Sequence, residues 1–349
     1  MPHPITQRRR VLDQIAHRPT DFVPMARLDF EGDVAERLDG HYGGAGWREV
    51  VHENNHIEGL SALHTYGHPV PDEQAIFTDV FGSRWRNDRR TLHLEEGVLT
   101  EPTLDGFRFP EAREFFRDNW REEVTAQAAR HPDKLVIVGV GFGMFVKTWI
   151  LRGFENAMTD AIAEPAFYEE LLERICQLHL DILDRLLTLP VDGVIFDGDW
   201  GDQRGIMIGP ERFRRFIKPR KARLYDRVHA AGKLAFNHSC GNIQDIIGDL
   251  IDIGLDVLQS VQPEAMDPYQ LKKRFGENLT FWGGLGSQHT IPFGTPQEIR
   301  AEVRHLCADM AAGGGYILGP AKSLQPETPT ENAAAVVEAF LAEVGVTLS

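Results

Sequence analysis

The residues best suited to chemistry in this sequence are His238 and Cys240, at the end of residues 233–242, a run that passes from apolar to small and polar. Along an extended strand, residues two apart project to the same side, so the imidazole and the thiol would leave the strand end together. Zinc commonly takes a histidine nitrogen with a cysteine sulfur. The alternative is a buried histidine hydrogen-bonded to backbone beside a small apolar cysteine. Asp197 and Asp199 repeat the spacing at the end of an earlier apolar run. Their carboxylates could complete a metal's ligands, hydrogen-bond a substrate or exchange protons with it. Otherwise one caps the next segment and the other is solvated. Lys322 follows a late apolar run, where its ammonium could meet a substrate carboxylate or phosphate. Gln288 and His289 follow Gly283-Gly284-Leu285-Gly286, and His289 could ligate, shuttle protons or decorate a loop. Phe142, Phe145 and Trp149 could wall an apolar pocket or belong to the core.

The elements that must position these residues form a regular alternation. Apolar strands are expected at 135–140, 191–196, 233–237, 257–260, 279–284 and 316–319. Helical segments at 146–189, 210–231, 242–253, 267–275, 296–312 and 329–343 separate or follow them. Alternation sustained over residues 135–349 calls for a parallel sheet with helices outside it. A closed (β/α)8 TIM-type barrel fits better than a doubly wound sheet, because nearly every strand ends in Gly, Asp, His or Gln, at the rim where barrel enzymes place their sites. No Gly-x-Gly-x-x-Gly fingerprint follows the first strand, which weakens a dinucleotide-binding reading. The expected fold class is α/β in a single domain, 1–349, with an N-terminal extension over 1–134.

That N-terminal part reads as a helix at 6–17 capped by Thr6, a first strand at 22–28, and a helix at 111–131. Short alternating runs at 79–86, 91–94 and 97–100 predict a small antiparallel β insertion at about 77–107. Arg8, Arg9 and Arg10 read as exposed. His52, His56, His64 and His68 have spacings that could align on one helix face, but Gly59 and Gly67 interrupt it, so four exposed histidines are expected.

Bulk composition excludes several classes. A formal charge of −15 argues against non-specific binding to nucleic acid or anionic membrane. No window approaches the roughly 20 apolar residues of a membrane span. Three cysteines do not make a disulfide framework, and no apolar signal-peptide core follows Met1-Pro2-His3-Pro4, so a cytoplasmic location is expected. Cys176 and Cys307 fall in helices and read as core.

Several motifs together resemble the uroporphyrinogen decarboxylase-like superfamily: Leu151-Arg152-Gly153-Phe154-Glu155-Asn156, Asp197-Gly198-Asp199, His238-Ser239-Cys240-Gly241, Trp282-Gly283-Gly284, Pro292-Phe293-Gly294-Thr295-Pro296 and Pro326-Glu327-Thr328-Pro329-Thr330-Glu331-Asn332. The resemblance implies a (β/α)8-type barrel and one of two activities. The cofactor-free decarboxylases hold substrate carboxylates with an Arg-Gln-Ala-Gly-Arg stretch, which is absent from residues 25–31. The other branch contains zinc-dependent methyltransferases that work with a corrinoid (cobalamin) protein or a thiol acceptor. These carry His-x-Cys where His238 and Cys240 stand, and a later cysteine that aligns with Lys322. The resemblance therefore implies zinc and a corrinoid as cofactors, with Asp197, Asp199, Glu155 or His289 completing the ligands. Methyl transfer between a small-molecule donor and a corrinoid protein or other acceptor is the leading expectation. A decarboxylase of a small acid, using Lys322 with Asp197 or Asp199, and a non-catalytic corrinoid- or tetrapyrrole-binding protein are the alternatives. The oligomeric state, a homodimer included, stays open.

Overall fold

The computed structural model describes residues 5–71, 75–88 and 91–348. Its ten strands are β1 (Ile57–Leu60), β2 (Ile76–Thr78), β3 (Arg84–Asp88), β4 (Thr91–Glu96), β5 (Leu135–Gly139), β6 (Gly193–Asp197), β7 (Leu234–His238), β8 (Val257–Val261), β9 (Thr280–Leu285) and β10 (Tyr316–Pro320). Seven of them form one curled, parallel sheet in the order β1-β5-β6-β7-β8-β9-β10. The gap between its edges is filled by residues 24–31. Ala26 N donates to Leu318 O and Leu318 N to Pro24 O, both at 2.9 Å, while His56 N, just before β1, donates to Met25 O at 3.0 Å.

Alternation along the strands divides two cores. Inward residues Ile57, Leu135, Ile137, Phe236, Val257, Trp282 and Ile317 fill the barrel with Ala26 and with Val11 of the helix Gln7–Ile15. That helix closes the end where the strands begin, since Arg8 N donates to Asp133 O and its guanidinium pairs with Asp192 at 2.6 Å. Outward residues such as Val136, Val138, Val194 and Leu258 share a larger core with the surrounding helices. A fully buried aliphatic side chain contributes roughly 1.5–3 kcal/mol, so both faces of the sheet are strongly specified.

The antiparallel insertion is present as β2-β3-β4 and packs Phe77 and Trp85 against Ile150. It ends at Glu96, so the expected strand at 97–100 is not one. Asp79 fixes the turn before β3, accepting from Phe81 N and Ser83 N at 3.0 Å and from Trp85 Nε1 at 3.0 Å.

Four more expectations for the N-terminal part are corrected. The strand at 22–28 reduces to an isolated bridge, Met25 to Leu318, because Pro24 has no N–H and Arg27 has a φ of 61°. The first strand is instead β1, Ile57–Leu60. The helix at 111–131 is two pieces, Ala112–Phe115 and Trp120–Arg130, separated where Asn119 takes a φ of 53°. Arg10 is buried rather than exposed, bonded to Asp21 at 2.7 Å and stacked on Phe22 at 3.6 Å. His56 is also buried, its Nδ1 on Asn54 O at 2.8 Å. Among the described residues, no helix is long and apolar enough to cross a membrane.

Candidate metal centre

Strand parity determines which polar residues look into the barrel mouth. Register places Asp197 of β6 beside His238 of β7, and His238 beside Gln259 of β8. Two residues earlier on each strand, the same face carries Ile195, Phe236 and Val257, which belong to the interior core. One polar layer therefore caps the apolar filling at the C-terminal ends of three adjacent strands. Beyond it the chain turns, and Asp199 and Cys240 close over His238.

Three unlike donors meet there. His238 Nε2 lies 3.3 Å from Cys240 Sγ and 3.4 Å from Asp199 Oδ1. The ligand atoms of all three residues lie within 4.8 Å of one another. Asp199 achieves this with a φ of 46°, a left-handed conformation that Asp tolerates better than most residues. The same Oδ1 accepts from Cys240 N at 3.1 Å, which fixes the carboxylate against the turn. Close approach of the chain ends is possible because residue 198 is glycine. A Cβ there would stand 2.8 Å from Asn237 Nδ2 and 2.9 Å from His238 O.

These donors fit a zinc-type ion. Ligands at about 2.0–2.3 Å in a tetrahedral shell stand roughly 3.3–3.5 Å from one another, the separations that His238 makes with its two neighbours. His238 Nδ1 is 2.5 Å from Gln259 Oε1, so the proton belongs on Nδ1 and the Nε2 lone pair faces Cys240 and Asp199. The electrostatics favour positive charge at the same point, carried by a proton on Nε2 that a bound ion would displace. Burial, the largest influence on His238, disfavours its charged form. Hydrogen bonds with Asp199 and Cys240 outweigh it and push the imidazole up to about 10. Burial also works against ionisation of Asp199, but its bonds to His238 and Cys240 hold the carboxylate below its ordinary range. The pocket favours positive charge. With the His238 side chain 16% and the Asp199 side chain 43% exposed, it is open on one side, as a catalytic site with a free coordination position requires.

The other candidate residues are distributed around this centre. Asp197 looks into the same mouth, and burial pushes its carboxyl up, opposed by the charge of His238. Lys322 is exposed just past β10, without a hydrogen bond or ion pair among the described residues. Gln288 and His289 are exposed on the loop after β9. Their backbone N–H groups donate to Glu264 Oε1 at 2.7 and 3.0 Å, and Gln288 Oε1 accepts from Gln203 at 2.8 Å. Neither His289 nor the exposed Glu155 joins the donor group. Phe142 and Phe145 are buried between sheet and helices. Trp149 packs half-buried beside the insertion. Gln259 was not foreseen, although a polar residue on the inward parity of an apolar strand is a readable signal. Arg27 was likewise missed; its charge acts on Asp197 from the closing segment, which pairing alone brings near.

Comparison with known proteins places this architecture. A family model described as uroporphyrinogen decarboxylase (URO-D) matches residues 123–342. The chain belongs to the uroporphyrinogen decarboxylase family. Within the range of its relatives, it is 31% identical to the methylcobamide:CoM methyltransferase MtaA of Methanosarcina barkeri, over 96% of this chain and 97% of that protein. It is 20% identical to the uroporphyrinogen decarboxylase of Psychromonas ingrahamii, over 54% of this chain and 52% of that one. A solved methyltransferase from Methanosarcina mazei superposes with a TM-score of 0.71 at 20% identity, covering 98% of this chain and 100% of that structure. That likeness bears on the fold, and with the family it makes the curled sheet a TIM-type barrel.

Proposed function

We propose that this family member is a methyltransferase whose metal, of the zinc type, is held by His238, Cys240 and Asp199, and that it moves a methyl group between a corrinoid and a small thiol. The observation that carries the reading is the convergence of nitrogen, sulfur and oxygen donors at the barrel mouth, with the histidine tautomer set by Gln259. Near full-length similarity to a methylcobamide:CoM methyltransferase supports the choice of reaction.

When bound, zinc supplies Lewis acidity that lowers the pKa of a thiol brought to it. The protein's own residues do the rest. Gln259 orients His238, and the left-handed turn at Asp199 aims its carboxylate at the same point. Asp197, buried and harder to ionise than an ordinary carboxylate, would take the thiol proton. A methylated corrinoid would supply the methyl group and retain the cobalt–carbon bonding pair, while the lone pair of the thiol sulfur would form the new C–S bond. The exposed rim near Gln288, His289 and Lys322 is where a corrinoid, free or protein-bound, would dock.

Methylcobalamin and a thiol provide the assay, followed by the change in corrinoid absorbance on demethylation. Purified protein is expected to carry zinc and to demethylate methylcobalamin in a thiol-dependent way. Cys240→Ser is expected to lose one equivalent of zinc together with the activity. Activity that survives in metal-free protein, or zinc content unchanged by Cys240→Ser, would refute the proposal. Carbon dioxide release from a small acid that resists chelators and depends on Lys322 would instead favour decarboxylation.

A further inference from the structure

A second group of nitrogen and oxygen donors lies at the opposite end of the barrel. His52 sits in the last turn of the helix Gly46–Asn54, Glu58 on β1, and His131 at the end of the helix Trp120–Arg130, just before β5. The sequence predicts four separate, exposed histidines at 52, 56, 64 and 68. Instead His52 meets a histidine far away in sequence. Its Nε2 lies 3.5 Å from Glu58 Oε2, and the two imidazole rings are 5.2 Å apart between centroids. All three residues offer ligand atoms within 4.8 Å of one another.

We propose that His52, Glu58 and His131 form a second divalent-metal site, selective for a zinc-type transition ion. Two imidazoles and one carboxylate suit zinc, nickel or copper, whereas magnesium and calcium require mainly oxygen ligands. The donors come from three elements already fixed relative to one another. Strands β1 and β5 are paired from Ile57 and Leu135 onward. His131 N donates to Ala128 O and His131 O accepts from Lys134 N, both at 3.2 Å. Lys134, with only 6% of its side chain exposed, donates from Nζ to His52 O at 2.6 Å and lies 3.4 Å from Glu58 Oε2. It therefore orders the carboxylate and the helix end from behind, as outer-shell partners of metal ligands do. Its positive charge also opposes a cation, so this site binds more weakly than the centre at His238 and fills second.

Lying where the strands begin, away from the chemical face, the site is a clip: it joins the helix before β1, β1 itself and the turn into β5. Its occupation stabilises the fold without touching the reaction centre.

The test uses the full chain, stripped with chelator, in a Cys240→Ser background that disables the rim site. Zinc titration by calorimetry is expected to show one equivalent bound, with a rise in Tm on binding, while magnesium produces neither. Cobalt(II) is expected to give visible d–d bands without a thiolate charge-transfer band. Adding His131→Ala or His52→Ala should abolish the equivalent and the Tm rise. His52 is about half exposed, so its replacement leaves packing intact if His131→Ala misfolds. Failure of the Cys240→Ser protein to bind zinc, or retention of the equivalent in both histidine variants, would overturn the proposal. In otherwise native protein, the same model expects two zinc equivalents, one lost in Cys240→Ser and the other in His131→Ala.

Discussion

Gln259 Oε1 accepts from His238 Nδ1 at 2.5 Å, and this bond determines which ring nitrogen faces Asp199 and Cys240. Removing the acceptor frees the ring to change tautomer and rotate, so Gln259→Leu should weaken metal binding by about 10- to 100-fold. Gln259→Glu keeps an acceptor at the same reach and should retain most of the affinity. Competition with a chromophoric chelator measures both, and equal affinities in the two variants would remove Gln259 from the site.

Asp199 contributes the third donor and also accepts from Cys240 N. Asp199→Ala leaves one nitrogen and one sulfur, too few for a firmly held zinc ion. The expected loss exceeds the roughly 10- to 100-fold of an outer-shell change. Asp199→Asn keeps the backbone bond but loses the charge, and should fall between wild type and alanine. Zinc retention by Asp199→Ala equal to that of wild type would assign the third position to another group.

Gly198 permits the ends of β6 and β7 to touch. In Gly198→Ala, the new methyl would sit 2.8 Å from Asn237 Nδ2 and 2.9 Å from His238 O, inside van der Waals contact. Both atoms belong to a packed network: Asn237 Nδ2 donates to His238 O at 2.7 Å, and Asn237 Oδ1 accepts from Lys221 at 2.8 Å and Tyr225 at 2.9 Å. Overpacking of this kind costs about 1–3 kcal/mol. Denaturant unfolding should show that loss together with reduced zinc content. A variant as stable as wild type, with full zinc, would show that the strand ends can separate freely.

Most of the barrel was legible because burial on two faces forces long apolar strands, and the strands from 135 onward lie close to where their texture places them. The pair at His238 and Cys240 was visible for the same reason: parity and strand ending are local. Legibility failed where tertiary partners determine the outcome. Residues 24–31 close the barrel through backbone bonds that no side-chain pattern records, and β1, only four residues long, lacks a pattern of its own. His56 and Arg10 looked solvated until Asn54, Asp21 and Phe22 surrounded them. The choice of Asp199 rather than His289 or Glu155 beside His238 depends on a left-handed residue, which the sequence does not announce.

His179 supplies a pH-dependent test away from both metal sites. It is buried on the helix Pro165–Leu186, its ring 4.7 Å from that of Phe142, and neither ring nitrogen has a hydrogen-bond partner among the described residues. Burial first, then the charges of Lys221 and Lys147, push the imidazole down to about 3. The unfolded chain would protonate it near the ordinary value of about 6.5. Between those values the unfolded state binds one more proton, so folding stability rises with pH there and is lost on acidification. The contribution is about 1.4 kcal/mol per pH unit across that window. His179→Leu removes both the titration and two unpaired polar atoms while approximating the volume. It should be more stable than wild type at pH 7 by about 1–3 kcal/mol, the usual cost of a buried unsatisfied group. Its advantage should widen as pH falls from 6.5 towards 4, when urea unfolding is repeated at each pH. Curves that stay parallel would mean that His179 takes up its proton in the folded state as readily as in water.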